Sequence, residues 1–439
     1  MIFFQILLLI FGSIPFFSDL LLIFLRIIFI LFLSIISFLY SFNKRTFFTC
    51  LALILIKFNN LLSIKSNFFL KINNFFLLLG DIYSFGILLR YYIYLIMYLN
   101  NKKTNQYLYY WLVAMFILVS SIIIVGGLTR LTDSGLSITE WELFRGFLPP
   151  LSNFEWENYF SLYKQIPEYK LQNFNMSLKE FKVIFWWEWA HRFLGRIIGL
   201  FFLIPMIYFV YKKGFSKTRS LFLIFFLICF QGFLGWFMVS SGLVNRVDVS
   251  HFRLSLHLVT AFIILSLILW QILNYKYKCE IIEQSIGYKL PSIFLFIVFL
   301  QIIFGAFVSG MDAGKIYNTW PLMGNNYFPD DNIFSNLFQF AALSDPSLVQ
   351  FIHRNLAYLI MIIFSIILYF VIKDKLLNFY NIIKLLGLAL IFQIILGVLT
   401  ILNGAQMFLA SMHQIGSIAL ISISVYLLFL NNRKLTNSF

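Results

Sequence analysis

The chain has 439 residues, of which 61% are hydrophobic and 12% charged, with a mean hydropathy of +0.88. That composition excludes a soluble globular domain and identifies an integral membrane protein. A net charge of +15 would suit a nucleic-acid partner in a soluble protein, but the placement of the charges argues for a membrane topology and no nucleic acid.

Residues 1–96 are low in complexity, dominated by Phe, Leu, Ile and Asn, and carry no motif. They read either as about two or three extra membrane helices or as an extension upstream of a start at Met97, where a short polar stretch with Lys102 and Lys103 precedes a clean span. They lack the Arg- and Ser-rich character of a transit peptide. Beyond them, about eight apolar segments reach the roughly 20 residues needed to cross a bilayer. These are 107–128, 190–211, 221–239, 254–273, 291–309, 349–372, 383–402 and 412–430. The fold class expected is therefore an all-α membrane protein with a core of eight helices and an N-terminal extension.

The loops alternate in charge. One side of the membrane receives Lys102, Lys103, Lys212, Lys213, Lys217, Arg219, Lys276, Lys278, Lys289, Lys373, Lys375, Lys384, Arg433 and Lys434, opposed by Glu280, Glu283 and Asp374. The other side holds the long segment from Arg130 to Trp189, where acids outnumber bases, and the stretch with Asp312, Asp330, Asp331 and Asp345. The positive-inside rule places both ends of the eight-helix core on the cytoplasmic or matrix side. Cys50, Cys229 and Cys279 are scattered and form no CxxC, so they supply neither a metal site nor a disulfide in the outer loops.

Within the core, a four-helix unit is used twice. In the first, Gly126 and Gly127 lead to Asp133 and Gly135, then to His191-Arg192, then to Gln231 and Gly235, and last to His257. In the second, Gly305 and Gly310 precede Asp312 and Gly314, followed by His353-Arg354, Gln393 with Gly397, and His413. The intervals agree, 257 − 191 = 66 against 413 − 353 = 60. The units are assigned to residues 97–275 and 276–439.

An ionisable side chain at membrane depth marks a site or pathway, and imidazoles on facing helices are suited to axial ligation of a haem iron. Each unit offers one histidine on its second helix and one on its fourth, so each can hold one haem. The bland alternative, a histidine that only bridges helices, fits a single residue better than a repeated quartet. His251 has no counterpart in the second unit and reads as a loop or interfacial residue. Glu188 lies three residues before His191 on the same helical face. It is placed either to do acid-base work beside the pocket or to orient His191 and pair with Arg192. The corresponding Gln350 cannot do acid-base work, which makes the first unit the catalytic candidate. Arg192, Arg196 and Arg354 can pair with haem propionates or snorkel to headgroups. The Gln-x-x-x-Gly pattern at Gln231, Gln301 and Gln393, and the Gly195/Gly199 pair, read as helix packing that leaves room for a flat macrocycle. The Trp186, Trp187 and Trp189 cluster reads as an interfacial belt.

The stretches GGLTRLTDSGLSITEW (Gly126 to Trp141), FKVIFWWEWAHRFLGR (Phe181 to Arg196) and FQGFLGWFMVSSGL (Phe230 to Leu243), with the later IHRNLAY and MHQIGS, resemble haem A synthase of the alphaproteobacterial and mitochondrial type. The resemblance covers residues 107 to 430. It implies two pseudo-symmetric four-helix bundles and oxidation of a methyl group of haem O to the formyl group of haem A. His191 and His257 would then ligate the substrate haem, Glu188 would be the catalytic carboxylate, and His353 and His413 would ligate a haem b cofactor. It further implies O2 as co-substrate, an external electron donor, a bacterial plasma membrane or mitochondrial inner membrane, and association with haem O synthase and cytochrome oxidase assembly factors. A homo-oligomer is compatible with it. Another branch of the family carries a cysteine pair in the first outer loop. No cysteine lies between Arg130 and Trp189 here, so that pair's role does not transfer. The rival readings are a di-haem b-type electron-transfer cytochrome and a non-catalytic haem transporter or chaperone; neither needs Glu188.

Overall fold

The computed structural model describes residues 104–142, 145–244, 246–277 and 284–432. The expectations for residues 1–96, and those resting on Cys50, Cys279 and the charges at Lys102, Lys103, Lys278, Glu280, Glu283, Arg433 and Lys434, lie outside them. From Trp111 onward the described residues belong to one compact unit.

Among the described residues, eight helices are long and apolar enough to span a membrane. They are α1 (Thr104–Leu131), α4 (Leu178–Lys213), α5 (Phe215–Val239), α6 (His251–Lys276), α7 (Leu290–Gly310), α8 (Pro346–Lys373), α9 (Tyr380–Leu402) and α10 (Met407–Asn431). Two short helices, α2 (Asn153–Tyr163) and α3 (Pro167–Leu171), lie in the loop between α1 and α4. No strand occurs among the described residues; one isolated bridge joins Met323 and Asn326.

Several hydroxyls inside the spans turn back onto their own helices. Ser121, Thr260, Ser266, Ser422 and Ser424 each donate to the carbonyl four residues earlier, so they add no unsatisfied group to the apolar interior. Helices α6, α7 and α10 pack on one another. Ile264, Leu265, Ile268 and Leu269 of α6 and Ile421, Ile423 and Val425 of α10 are fully buried there. The outer faces of α5 and α9 instead present Phe226, Phe233, Ile391 and Ile395, as suits residues meeting lipid.

The expected spans are recovered, with one substantial extension. Helix α4 begins at Leu178, twelve residues before the segment expected from residue 190. A capping box explains it: Ser177 accepts from the Glu180 backbone N–H, and Glu180 accepts from that of Ser177. The same device starts α2 at Ser152 and Glu155. Above α4, Leu136, Ile138, Trp156, Phe160, Tyr163, Ile166, Phe181, Ile184, Phe185 and Val249 close into an apolar cap. Trp186 and Trp189 pack against that cap.

Candidate functional site: two histidine pairs

The four repeated histidines meet four glycines, each on the helix preceding their own span. A methyl group built on Gly126 of α1 would lie 3.1 Å from the His191 ring on α4; on Gly235 of α5, 3.2 Å from His257 on α6. In the second half, a methyl group on Gly305 of α7 would lie 3.1 Å from His353 on α8, and one on Gly397 of α9 would lie 3.1 Å from His413 on α10. Glycine suits all four positions because a side chain there would press on the ring.

His191 and His257 face each other with ring centroids 6.4 Å apart and planes at 85°. A metal between two imidazole nitrogens, with bonds of about 2 Å each, sets the centroids roughly 6 Å apart, so the spacing admits one iron.

Three of the histidines are bound by a glutamine four residues before the glycine. Gln231 Nε2 donates to the His257 carbonyl at 2.8 Å and lies 3.1 Å from its Nδ1. Gln301 Nε2 donates to the His353 carbonyl at 3.0 Å and lies 3.3 Å from its Nε2; Gln393 Nε2 donates to the His413 carbonyl at 2.7 Å. The Oε1 atoms of all three glutamines, with Nδ1 of His353 and His413, are buried and without a partner. Buried polar atoms left without a partner on both the histidines and their glutamines fit a site completed by a bound group, and iron on one ring nitrogen would make the other a donor in need of an acceptor.

Glu188 is buried at 2% exposure and every direction around its carboxylate is taken. Oε2 accepts from Ser137 Oγ at 2.7 Å and from the Ile138 N–H at 2.8 Å; Oε1 accepts from Arg192 Nε at 3.0 Å and Nη2 at 2.6 Å. Sequence reasoning missed Ser137 and Ile138, which reach Glu188 because residues 132–142 fold back over α4 as a strap. Arg192 also donates to the Ile138 and Glu140 carbonyls, and Arg196 to the Glu142 carbonyl.

The second half repeats the strap at residues 312–322. Arg354 donates to the carbonyls of Tyr317 at 3.0 Å, Thr319 at 2.9 Å and Leu322 at 3.3 Å, and Gln350 donates to that of Tyr317 at 3.1 Å. Thus Gln350 takes the place of Glu188 but brings no counter-charge. His251 sits apart from both pairs. Its ring lies between Phe252 and Phe307, its Nε2 is 3.1 Å from the Leu343 carbonyl, and Gly310 abuts its backbone, which makes it an interfacial residue joining α6 to α7.

The outer loops hold a second buried acid. Glu168 Oε1 accepts from Tyr163 Oη at 3.1 Å and Asn173 Nδ2 at 3.4 Å. Burial under the cap raises its pKa to about 8.

Residues 109–425 match the family described as cytochrome oxidase assembly protein. Among curated relatives, the heme A synthase of Pelagibacter ubique is 47% identical over 342 residues, which is 76% of this chain and 100% of that protein. The heme A synthase of Rickettsia bellii is 44% identical over 323 residues, 72% of this chain and 96% of its own length. That of Rickettsia felis is 41% identical over 327 residues, 73% and 96% respectively. With the match running across all four histidines and both straps, this chain belongs to the cytochrome oxidase assembly protein family that includes the heme A synthases.

Proposed function

We propose that the two histidine pairs bind haem and that the chain acts as a haem A synthase, an oxidoreductase that converts a methyl group of haem O to the formyl group of haem A for cytochrome oxidase biogenesis. The observation that carries the reading is the fourfold ring-on-glycine contact with its orphaned glutamine and histidine atoms, in a chain whose curated relatives bear that name.

In this reading His191 and His257 ligate the substrate haem O, in a bundle over residues 97–275. His353 and His413 ligate haem b, in a bundle over residues 276–439. When bound, haem b would supply the redox centre needed for an O2-dependent oxidation fed by an external electron donor. The chain's own part is to position and exclude. The glycines make room for the histidine rings that would hold the haems, and the lipid-facing helices would leave the isoprenoid tail of haem O a place in the bilayer. The cap over α4 keeps water from the first pocket.

Glu188 is the proposed catalytic carboxylate. Four hydrogen bonds, two of them from Arg192, fix its carboxyl group one helical turn from His191. It can take a proton at Oε2 by releasing Ser137, whose hydroxyl can turn to accept. Arg354 has only carbonyl partners among the described residues, so its charge is available to attract a propionate of the second haem; Arg192 and Arg196 border the first. The multi-pass placement follows from the eight apolar helices. We assign the basic loops to the cytoplasmic or matrix side of a bacterial plasma membrane or mitochondrial inner membrane, with haem O synthase and oxidase assembly factors as functional neighbours.

The test is haem extraction and chromatography from membranes of a haem O-producing host expressing the full chain or its Glu188→Gln variant. Haem A is expected with the intact glutamate and a loss of at least about tenfold without it. If haem b and haem O co-purify with the protein but neither haem A nor a hydroxylated intermediate forms, the chain is a haem carrier or electron-transfer cytochrome.

A further inference from the structure

The glutamine pattern has a gap. Counting four residues back from the glycine under each ring gives Gln231 for His257, Gln301 for His353 and Gln393 for His413, but Ile122 for His191. Ile122 is aliphatic and its Cδ1 lies near Gly195, one turn beyond His191, so it fills the space of a glutamine and offers no hydrogen bond. No side chain donates to the His191 ring or carbonyl among the described residues, whereas each of the other three histidines has its carbonyl bound.

The rings differ accordingly. His257, His353 and His413 present the same edge to their glycines, Cε1 nearest at 3.1 to 3.2 Å, then Nδ1, then Nε2. His191 is turned, with Nε2 nearest to Gly126 at 3.1 Å, then Cε1, then Cδ2. A glutamine amide bound to the histidine's own carbonyl stands beside that residue, and it meets a ring nitrogen at His257 and His353; it narrows the space in which the side chain can turn, consistent with the one orientation the three rings share. Without a tether, the ring can swing about its side-chain torsions at the cost of the metal bond alone.

We infer that Gln231, Gln301 and Gln393 are positioning residues that lock His257, His353 and His413, and that Ile122 leaves His191 as the exchangeable axial ligand, so that the first site opens to a small diatomic ligand on its His191 face. The inference rests on the haem reading above. It makes the two sites unequal in a way that the shared histidine pairs do not reveal: the second is closed on both faces, the first on the His257 face only. The open face is the one beside Glu188, which lies three residues before His191 on α4.

The test uses the full chain purified with its haems from a haem O-producing host, reduced with dithionite, with carbon monoxide as the probe and stopped-flow absorbance as the readout. Carbon monoxide is expected to bind one haem and leave the other six-coordinate. Ile122→Gln should slow that binding by about threefold to tenfold, the worth of one hydrogen bond, while Ile122→Leu should leave it unchanged. Gln301→Leu tests the converse without a polar group added to the membrane interior, and should make the second haem reactive. Equal reactivity of both haems in the unaltered protein, or a Gln301→Leu variant whose second haem stays closed, overturns the inference alone. A preparation with no low-spin haem overturns the haem reading and the inference with it.

Discussion

A histidine ring resting on the backbone of a facing glycine leaves no room for one added methyl group. At Gly305 and Gly397 the new Cβ would stand 3.1 Å from the ring, tighter than ordinary van der Waals contact, and the ring would have to shift by a few tenths of an ångström. A ligand displaced on that scale loses metal affinity before it loses fold, because axial geometry is narrow and helix packing is not. Gly305→Ala and Gly397→Ala should therefore lower the haem-to-protein ratio of the purified chain severalfold while leaving its expression level near normal. Gly199→Ala, where nothing lies within 4 Å, is the control and should keep full haem content. The quartet of histidines was legible in the sequence because it repeats with its glycines. The glutamine contacts were not, since a glutamine in an apolar helix can bond any carbonyl within reach. Nor were the partners of Arg192, Arg196 and Arg354: those guanidinium groups reach strap carbonyls 52 to 54 and 32 to 37 residues away in sequence, and charge alone suggested propionates or headgroups.

At the scale of elements, hydropathy located every span because a bilayer demands about 20 apolar residues in a row, but it missed helix that continues into the outer region. Helix α4 runs through Trp186, Trp187, Glu188 and Trp189 before reaching the segment expected to span. The capping boxes at Ser152 and Ser177 were the available signal for α2 and α4. The cap built by these elements carries a titratable weak point. Glu168 is 4% exposed with its pKa raised to about 8, first by burial and then by the charges of Glu188, Asp133 and Asp248, against which the Tyr163 hydrogen bond works. An unfolded glutamate gives up its proton near pH 4.5, the ordinary value for this group. Over the interval from there to about 8 the folded cap holds a proton that the unfolded segment has released. The contribution to cap stability is thus fully present at the acid end and is lost as pH rises through about 8. Amide exchange of α2 and α3, corrected for intrinsic rates, should show falling protection across that range. Glu168→Gln should flatten the slope, and a slope that survives the substitution would mean another group sets it.

Across the whole molecule, the two halves are held by polar contacts set among close helix approaches. Gln414 of α10 lies against Gly127 of α1 and donates to the Ile123 carbonyl at 2.8 Å, so a side chain at Gly127 would have to displace the end of Gln414. The densest junction is at Arg130, at the end of α1, with a side chain only 13% exposed. Its Nη1 meets Asp133 at 2.6 Å, while Nη2 meets Asp312 at 3.2 Å and the Ser309 carbonyl at 3.0 Å on the second half. Asp248 stands 3.9 Å away. Burial opposes ionisation of both acids that flank this cation. At Asp312 the Arg130 and Lys315 charges outweigh it and the pKa falls, whereas at Asp248 burial wins and the pKa rises. Asp133 and Asp312 occupy matching places in the two straps and both have positive φ, 48° and 51°, so the junction joins the repeated turns themselves. Arg130→Met keeps the length of the side chain and removes the charge. It leaves the Ser309 carbonyl and two carboxylates without their donor, and because Asp312 is 46% exposed, water offsets part of the loss. The expected cost is about 1 to 3 kcal/mol, read as a lower midpoint for thermal unfolding in detergent. Adding Asp312→Asn to Arg130→Met should recover part of that loss if the ion pair itself links the halves, since the double variant no longer holds an anion whose one remaining charged partner is the exposed Lys315 at 3.0 Å. A double variant whose loss equals the sum of the two single losses would show that Arg130 acts through Ser309 and packing, and that the halves are joined by their apolar seam along α6, α7 and α10.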